Sequence, residues 1–148
     1  MSKPLQVPFT ATLHVKDACL CLHAQRAARA LARRFDEAFR RFAITSGQFS
    51  LLMSLNRPEP PTIGSVANLL AMDRTTLTAN LKPLERRGLL TVSVDPGDRR
   101  GRRLALTPTG MALLARALPV WIEVHAAVEA ELPNGDGDAL RAGLLALA

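Results

Sequence analysis

The chain has 148 residues, 48% of them apolar, with a formal charge of +6 and an isoelectric point near 10.6. That size suits one domain, or one domain with an appendage, and the basic balance favours an anionic partner. No stretch reads as the roughly 20 apolar residues of a membrane span and the first residues lack a signal-like apolar run, so the expectation is a cytoplasmic chain with Cys19 and Cys21 reduced.

The charge is unevenly placed. Arg26 to Arg103 holds fifteen cations against seven carboxylates, whereas Leu104 to Ala148 holds two against five. Of all the cations only Lys3, Lys16 and Lys82 are lysines. Arginine's planar fork suits phosphate oxygens and guanine edges.

Residues 1–15 contain Pro4 and Pro8 and no period, and are read as an extended arm. A long helix is expected from about Asp17 to Phe42. Leu20, Ala24, Ala27, Leu31, Phe35, Ala38, Phe39 and Phe42 fall at three- and four-residue steps and share a face. Thr45 begins a shorter helix with Phe49, Leu51, Leu52, Met53 and Leu55 on its apolar side, stopped by Pro58, Pro60 and Pro61. Thr62 is an N-cap for a third helix, from Ile63 to about Leu70, with Val66, Leu69 and Leu70 turned inward.

After a short turn at Ala71-Met72, Asp73 caps a fourth helix. Its Leu77, Leu81 and Leu84 form a buried stripe, which leaves Thr75, Thr76, Thr78, Ala79 and Lys82 pointing outward. Pro83 predicts a kink rather than a stop, because the pattern continues to Arg87. Gly88 suits the C′ position. Two β-like segments follow, Leu89–Val94 and Leu104–Leu106, around Asp95-Pro-Gly-Asp-Arg-Arg-Gly-Arg-Arg103. Pro-Gly marks a turn, so this run reads as a hairpin with four guanidinium groups and two carboxylates at its tip. Thr107 and Pro108 open a helix as N-cap and first residue, bent near Pro119. Pro133-Asn-Gly-Asp-Gly137 breaks it, and Asp138 is expected to cap a last helix.

A polar-faced helix followed at once by a basic hairpin suggests a winged helix-turn-helix, and therefore DNA. The major groove admits one helix and distinguishes all four base pairs, and threonines offer both a hydroxyl and a methyl to it. Arg74 and Lys82 are long enough to reach phosphates or guanine. A narrow minor groove attracts arginine, and Asp98 is expected to hold a neighbouring arginine extended toward it.

Four stretches now stand together: Thr62-Ile-Gly-Ser-Val-Ala-Asn-Leu-Leu-Ala-Met-Asp-Arg-Thr-Thr-Leu-Thr78, Leu84-Glu-Arg-Arg-Gly-Leu-Leu90, Asp95-Pro-Gly-Asp-Arg-Arg100 and Leu106-Thr-Pro-Thr-Gly110. At these spacings the chain, from about Asp17 to its end, resembles the MarR (multiple antibiotic resistance regulator) type of transcription factor. The fold class expected is mainly α with a small β-hairpin wing. Residues 45–107 would be the winged helix-turn-helix, and 16–44 with 108–148 the dimerisation helices. The resemblance implies a homodimer on a pseudo-palindromic double-stranded operator, acting as a repressor released by a small-molecule effector, often an aromatic or phenolic compound. It places the DNA contacts at Arg74, Thr75, Thr76, Thr78, Ala79, Lys82, Asp98, Arg99, Arg100 and Arg102, with Arg100 entering the minor groove. An effector pocket between dimer helices and reading head would draw on His23, Arg26, Phe49, Met53, Trp121 and His125. Two departures stand out: Ala79 replaces an arginine common in such proteins, and Ala71 a glycine common in the turn, which predicts strain there.

Cys21 matches the sensing cysteine of the organic-hydroperoxide branch of that family, so a thiol-based peroxide or redox sensor using Cys21, with Cys19 nearby, is the alternative reading. The chain has no tyrosine, and Gln25 and Phe35 stand at two positions where that branch carries tyrosines bonded to the sulfur. A metal site is disfavoured: on one helix Cys19 and His23 share a face but Cys21 points away. The three histidines, His14, His23 and His125, show no catalytic spacing, and there is no phosphate loop or dinucleotide fingerprint. No enzyme, metal or cofactor is therefore expected. A winged helix used for protein docking is a third reading, which would leave the hairpin arginines without a polyanion.

Overall fold

The computed structural model describes residues 5–148, so the first four residues of the expected arm lie outside the described part. Two features of the N-terminal half differ from the sequence expectation. Pro8, with its preset φ, is followed by a helix, α1 (Phe9–Ala18), where an extended arm was expected through residue 15. None of the α1 side chains is buried, so its pattern carried no core signal. The chain then turns at Cys19 and restarts as α2 (Leu20–Phe39), which runs into a 3-10 turn, Arg40–Phe42, closed by Ala43 at φ 53°. The single helix expected over Asp17–Phe42 is thus broken where the Cys19 backbone turns extended.

The remaining elements follow their local signals. The α3 helix (Ser46–Ser54) starts with Thr45 and Gln48 capping each other's backbone N–H groups. The α4 helix (Ile63–Leu69) is capped by Thr62, and α5 (Arg74–Arg86) by Asp73, and α5 continues through Pro83. Gly88 takes φ 70° at the end of α5. The antiparallel strands β1 (Leu90–Asp95) and β2 (Asp98–Leu106) pair Leu90 with Leu106 and Val92 with Leu104, and the register shifts at the tip, between Val94 and Asp95. The α6 helix (Pro108–Ala130) has Thr107 as cap and Pro108 in its first turn. A 3-10 turn at Pro133–Gly135 precedes α7 (Gly137–Leu145). The α7 cap is Asp136, not Asp138, because Asp136 stands three residues before the Ala139 N–H that it accepts.

One core joins these pieces. Phe39 stacks on Phe49 at 4.7 Å between ring centroids, which ties α2 to α3. Leu52, Val66, Leu77, Leu84, Leu90 and Leu104 are almost completely buried and bring α3, α4, α5 and the hairpin together. Leu69, expected inside, is 62% exposed, because it forms part of the rim of an open cavity below α3. The α6 helix buries Leu113, Leu114 and Ala117 while Met111, Leu118 and Ile122 stay open. Apolar residues on both faces make the 23-residue α6 strongly apolar as a whole. By length and composition it therefore qualifies as a membrane span, contrary to the expectation from the sequence.

Ala71 lies at φ 51° in the turn between α4 and α5. A left-handed residue with a Cβ is strained by about 1–2 kcal/mol, part of which glycine gives back as chain entropy when unfolded. Ala71→Gly is expected to stabilise the protein by up to about 1 kcal/mol, read as a rise in melting temperature.

Candidate nucleic-acid interface

The α5 helix presents one outward stripe. Thr75, Thr78, Ala79 and Lys82 follow at i, i+3, i+4 and i+7, all exposed, opposite the buried Leu77, Leu81 and Leu84. Arg74 sits beside that stripe with its guanidinium laid across Gly64 of α4; a Cβ on Gly64 would lie 2.8 Å from an Arg74 nitrogen. Thr78 Oγ1 donates to the Arg74 carbonyl at 2.7 Å. Thr75 Oγ1 has no protein partner among the described residues, so its hydroxyl is open to a ligand.

Thr76 has a different role from the one expected. Its N–H and its hydroxyl both donate to Asp73, at 2.8 and 2.7 Å. It belongs to the helix cap, about a quarter turn off the outward stripe. Those two bonds, the backbone one first, hold the Asp73 carboxyl below the usual carboxylate range. The cap's contribution is therefore present above that usual range and lost as acid carries the pH down through the lowered value.

The hairpin wing stands next to α5. Thr62, Gly64, Arg74, Thr78, Asp98 and Arg100 line a shared polar cavity of about 370 Å³ between helix and wing. At the tip the four arginines divide. The Arg99 and Arg100 guanidiniums have no protein partner among the described residues. Arg102 folds back onto the carbonyls of Arg99 and Gly101, at 3.2 and 3.1 Å. Arg103 pairs with Asp95 at 3.2 Å and donates to the Pro60 carbonyl at 2.8 Å. Asp98 accepts from the Arg100 backbone N–H at 3.0 Å, so it shapes the turn and does not hold a guanidinium extended, as the sequence had suggested. The Asp98 Oδ1 closes an Asx turn onto the N–H two residues on.

The expected effector residues separate. Phe49, Met53 and Trp121 line a cavity of about 380 Å³, with Ser50, Ser54 and Leu118. His125 stacks on Trp121 at 4.5 Å. His23 and Arg26 are exposed on α2 and do not line that cavity. No lining residue is charged. A larger groove of about 670 Å³ runs between α2 and α6, past Arg33, Arg34, Glu37 and Glu123. It includes none of the residues singled out from the sequence.

Cys19 caps α2, its sulfur accepting from the Leu22 N–H, while the His23 ring meets the Cys19 carbonyl at 2.7 Å. Cys21 is exposed, and the Gln25 amide donates to its sulfur at 3.4 Å. Among the described residues no group of three metal-ligating side chains comes together.

Sequence reasoning missed Arg87, whose guanidinium donates to the carbonyls of Ala43 and Phe42 at 2.5 and 3.3 Å and joins the end of α5 to the end of α2. Nothing local marks such a bond, since its partners are main-chain oxygens more than 40 residues away.

Residues 44–101 match the model of the MarR family. The chain is 36% identical to the M. tuberculosis transcriptional regulator MosR, solved in complex with DNA; the superposition has a TM-score of 0.80 and covers 87% of this chain and 92% of that one. It is 31% identical over 94 residues to the HTH-type transcriptional regulator PecS of Dickeya dadantii, 62% of this chain and 57% of that protein. It is 36% identical over 76 residues to the HTH-type transcriptional repressor NicR of Pseudomonas putida, 51% of this chain and 48% of that protein. The matched segment spans about half the length of each of these two curated relatives.

Proposed function

The chain belongs to the MarR family of DNA-binding transcriptional regulators, and from that premise we propose that it is a dimeric repressor released from a pseudo-palindromic operator by a small effector. The observation that carries the reading is the exposed Thr75–Lys82 stripe lying beside a wing whose Arg99 and Arg100 guanidiniums have no partner among the described residues. Such a pair of surfaces spans a major groove and the minor groove next to it. The similarity to a regulator solved on DNA supports the same placement.

A homodimer accounts for the apolar side chains that one chain leaves open. Phe9, Leu13 and Val15 on α1, Ile122 on α6 and Leu140 and Leu144 on α7 are exposed. A second copy would bury them, as a two-fold interface requires. It would also explain α6's apolar outer face in a protein that acts in the cytoplasm.

The effector site proposed is the cavity walled by Phe49 and Trp121. Its aromatic wall, two serines and lack of any charged lining side chain suit a neutral aromatic or phenolic molecule better than a carboxylate. It also touches Leu69 and Leu70, next to the turn that leads into α5, so filling it would bear on the reading helix.

Titrating the purified protein against genomic fragments that it retains tests the reading. Binding should fall by orders of magnitude from about 50 to 200 mM salt if each dimer neutralises about six to ten phosphates. Phenols should quench Trp121 fluorescence and release the DNA. A protein that stays a monomer and ignores duplexes at low salt would refute the proposal.

The exposed Cys21 with its Gln25 donor supports a second route to release. An organic hydroperoxide would transfer one oxygen to the Cys21 thiol, giving a sulfenic acid and an alcohol. Cys21→Ser should then abolish release by peroxide while leaving release by phenols intact; peroxide release from that variant would exclude Cys21 as the sensor.

A further inference from the structure

Of the four tip arginines, Arg103 is the one directed inward. Its side chain is 36% exposed and its partner Asp95 only 11%. The Arg103 guanidinium gives Nε to Asp95 and another nitrogen to the Pro60 carbonyl. Pro60 and Pro61 belong to the rigid turn before α4. The same turn takes the Leu104 N–H onto the Pro61 carbonyl at 2.9 Å, and Thr62 forms an isolated bridge with Arg103. Asp95 also receives the Gly97 N–H at 3.0 Å at the start of the tip turn. A Cβ at Gly101 would stand 3.4 Å from the Asp95 Cβ, so the returning strand passes close over this carboxylate. The Gly97 bond first, and Arg103 after it, lower the Asp95 pKa. Asp95 is therefore ionised and opposed to Arg103 at any pH where the protein would meet DNA.

We propose that Arg103, through Asp95 and the Pro60 carbonyl, is a positioning residue that fixes the tilt of the wing on the helix-turn-helix. It would act on DNA only by holding Arg99 and Arg100 at the right place. This rests on the DNA-binding reading above, but it makes a separate claim. A hairpin joined to its lobe only through its two ends would swing, and each arginine would lose entropy on entering a groove. Tied at Pro60, the tip is set before contact.

The two possible roles of this arginine predict opposite signs for Asp95→Asn. If Arg103 contacts DNA, removing a nearby carboxylate leaves binding unchanged or tightens it. If Arg103 is a strut, losing its counter-charge weakens binding although the wing has become more positive. The measurement is fluorescence anisotropy of the full-length protein with a duplex that the wild type selects from randomised sequence, at fixed salt. The expected loss for Asp95→Asn is about tenfold, within the range of coupling inside one hydrogen-bonded network. Arg103→Met should weaken binding similarly, yet cost less than about twofold more when added to Arg100→Ala, because both act through the same tip. Equal or tighter binding by Asp95→Asn, or losses for Arg103→Met and Arg100→Ala that multiply, would overturn the strut. Should Asp95→Asn melt too early to assay, the Arg103→Met and Arg100→Ala cycle decides alone. A wild type that selects no duplex at all would instead refute the underlying DNA-binding reading.

Discussion

Arg100→Ala is expected to weaken operator binding about a hundredfold while leaving the melting temperature unchanged. The magnitude follows from the wing's geometry and from the proposed two-fold assembly. A hydrogen bond made by a charged group such as arginine is worth about 1.5–3 kcal/mol, and the proposed dimer would lose two such contacts. The Arg100 guanidinium has no protein partner among the described residues, so its removal leaves no buried group unsatisfied and the fold has nothing to lose. Its backbone N–H, which Asp98 holds, is retained in alanine. Arg100→Lys should recover only part of the affinity, because an ammonium keeps the charge but not the planar fork. Arg102→Ala makes the internal control. Its guanidinium is spent on the carbonyls of Arg99 and Gly101, so its loss should cost less than that of Arg100. Anisotropy titration of all three variants against one duplex gives the ranking. Arg100→Ala binding as tightly as wild type would remove the wing from the interface.

The contrast between Arg100 and Arg103 also marks what could be read from sequence and what could not. Features set by neighbours within a few residues were legible. Thr45, Thr62, Asp73 and Thr107 each cap a helix through a bond three residues away, and Asp95-Pro-Gly-Asp98 turns a hairpin. The outward stripe of α5 was legible too, because Leu77, Leu81 and Leu84 define its opposite. The strain foreseen at Ala71 appears as a positive φ. Features set by distant partners were not legible. That Arg103 is not free depends on the carbonyl of Pro60, 43 residues before it. The α1 helix follows Pro8 and buries no side chain, so its sequence carries no period that would set it apart from an extended arm. The cavity kept Phe49, Met53 and Trp121 but not His23 or Arg26, since these last two lie on the exposed side of α2 and the path of that helix past α6 is not written in its period.

The Leu-Thr-x-x-Gly stretch seen in the sequence has a steric cause, and it predicts the largest loss of stability. Gly110→Ala is expected to destabilise the protein by about 3 kcal/mol or more, the upper end of what overpacking costs. A Cβ at this position would lie 2.0 Å from the Leu89 carbonyl oxygen and 3.0 Å from its carbon. Both are backbone atoms, so no rotamer change relieves the clash. The backbone around them is held by hydrogen bonds. The Leu89 carbonyl accepts the Thr107 N–H at 3.2 Å, the Thr107 hydroxyl donates to the Gly88 carbonyl at 2.5 Å, and the same hydroxyl oxygen accepts the Gly110 N–H at 3.0 Å. Moving the first turn of α6 away from Leu89 therefore breaks the cap of α6 and the close of the α5 turn together. For a chain of this size the cost corresponds to a fall of roughly 10 °C in melting temperature, measured at one protein concentration because the melting point of the proposed dimer would depend on it. The defect would also reach the proposed DNA interface, since Leu89 leads into the wing and α6 carries Leu118 and Trp121 of the cavity proposed for the effector. A variant melting within about 2 °C of wild type would mean that the first turn of α6 slides freely over Leu89, and that the glycine is not there to let two backbones touch.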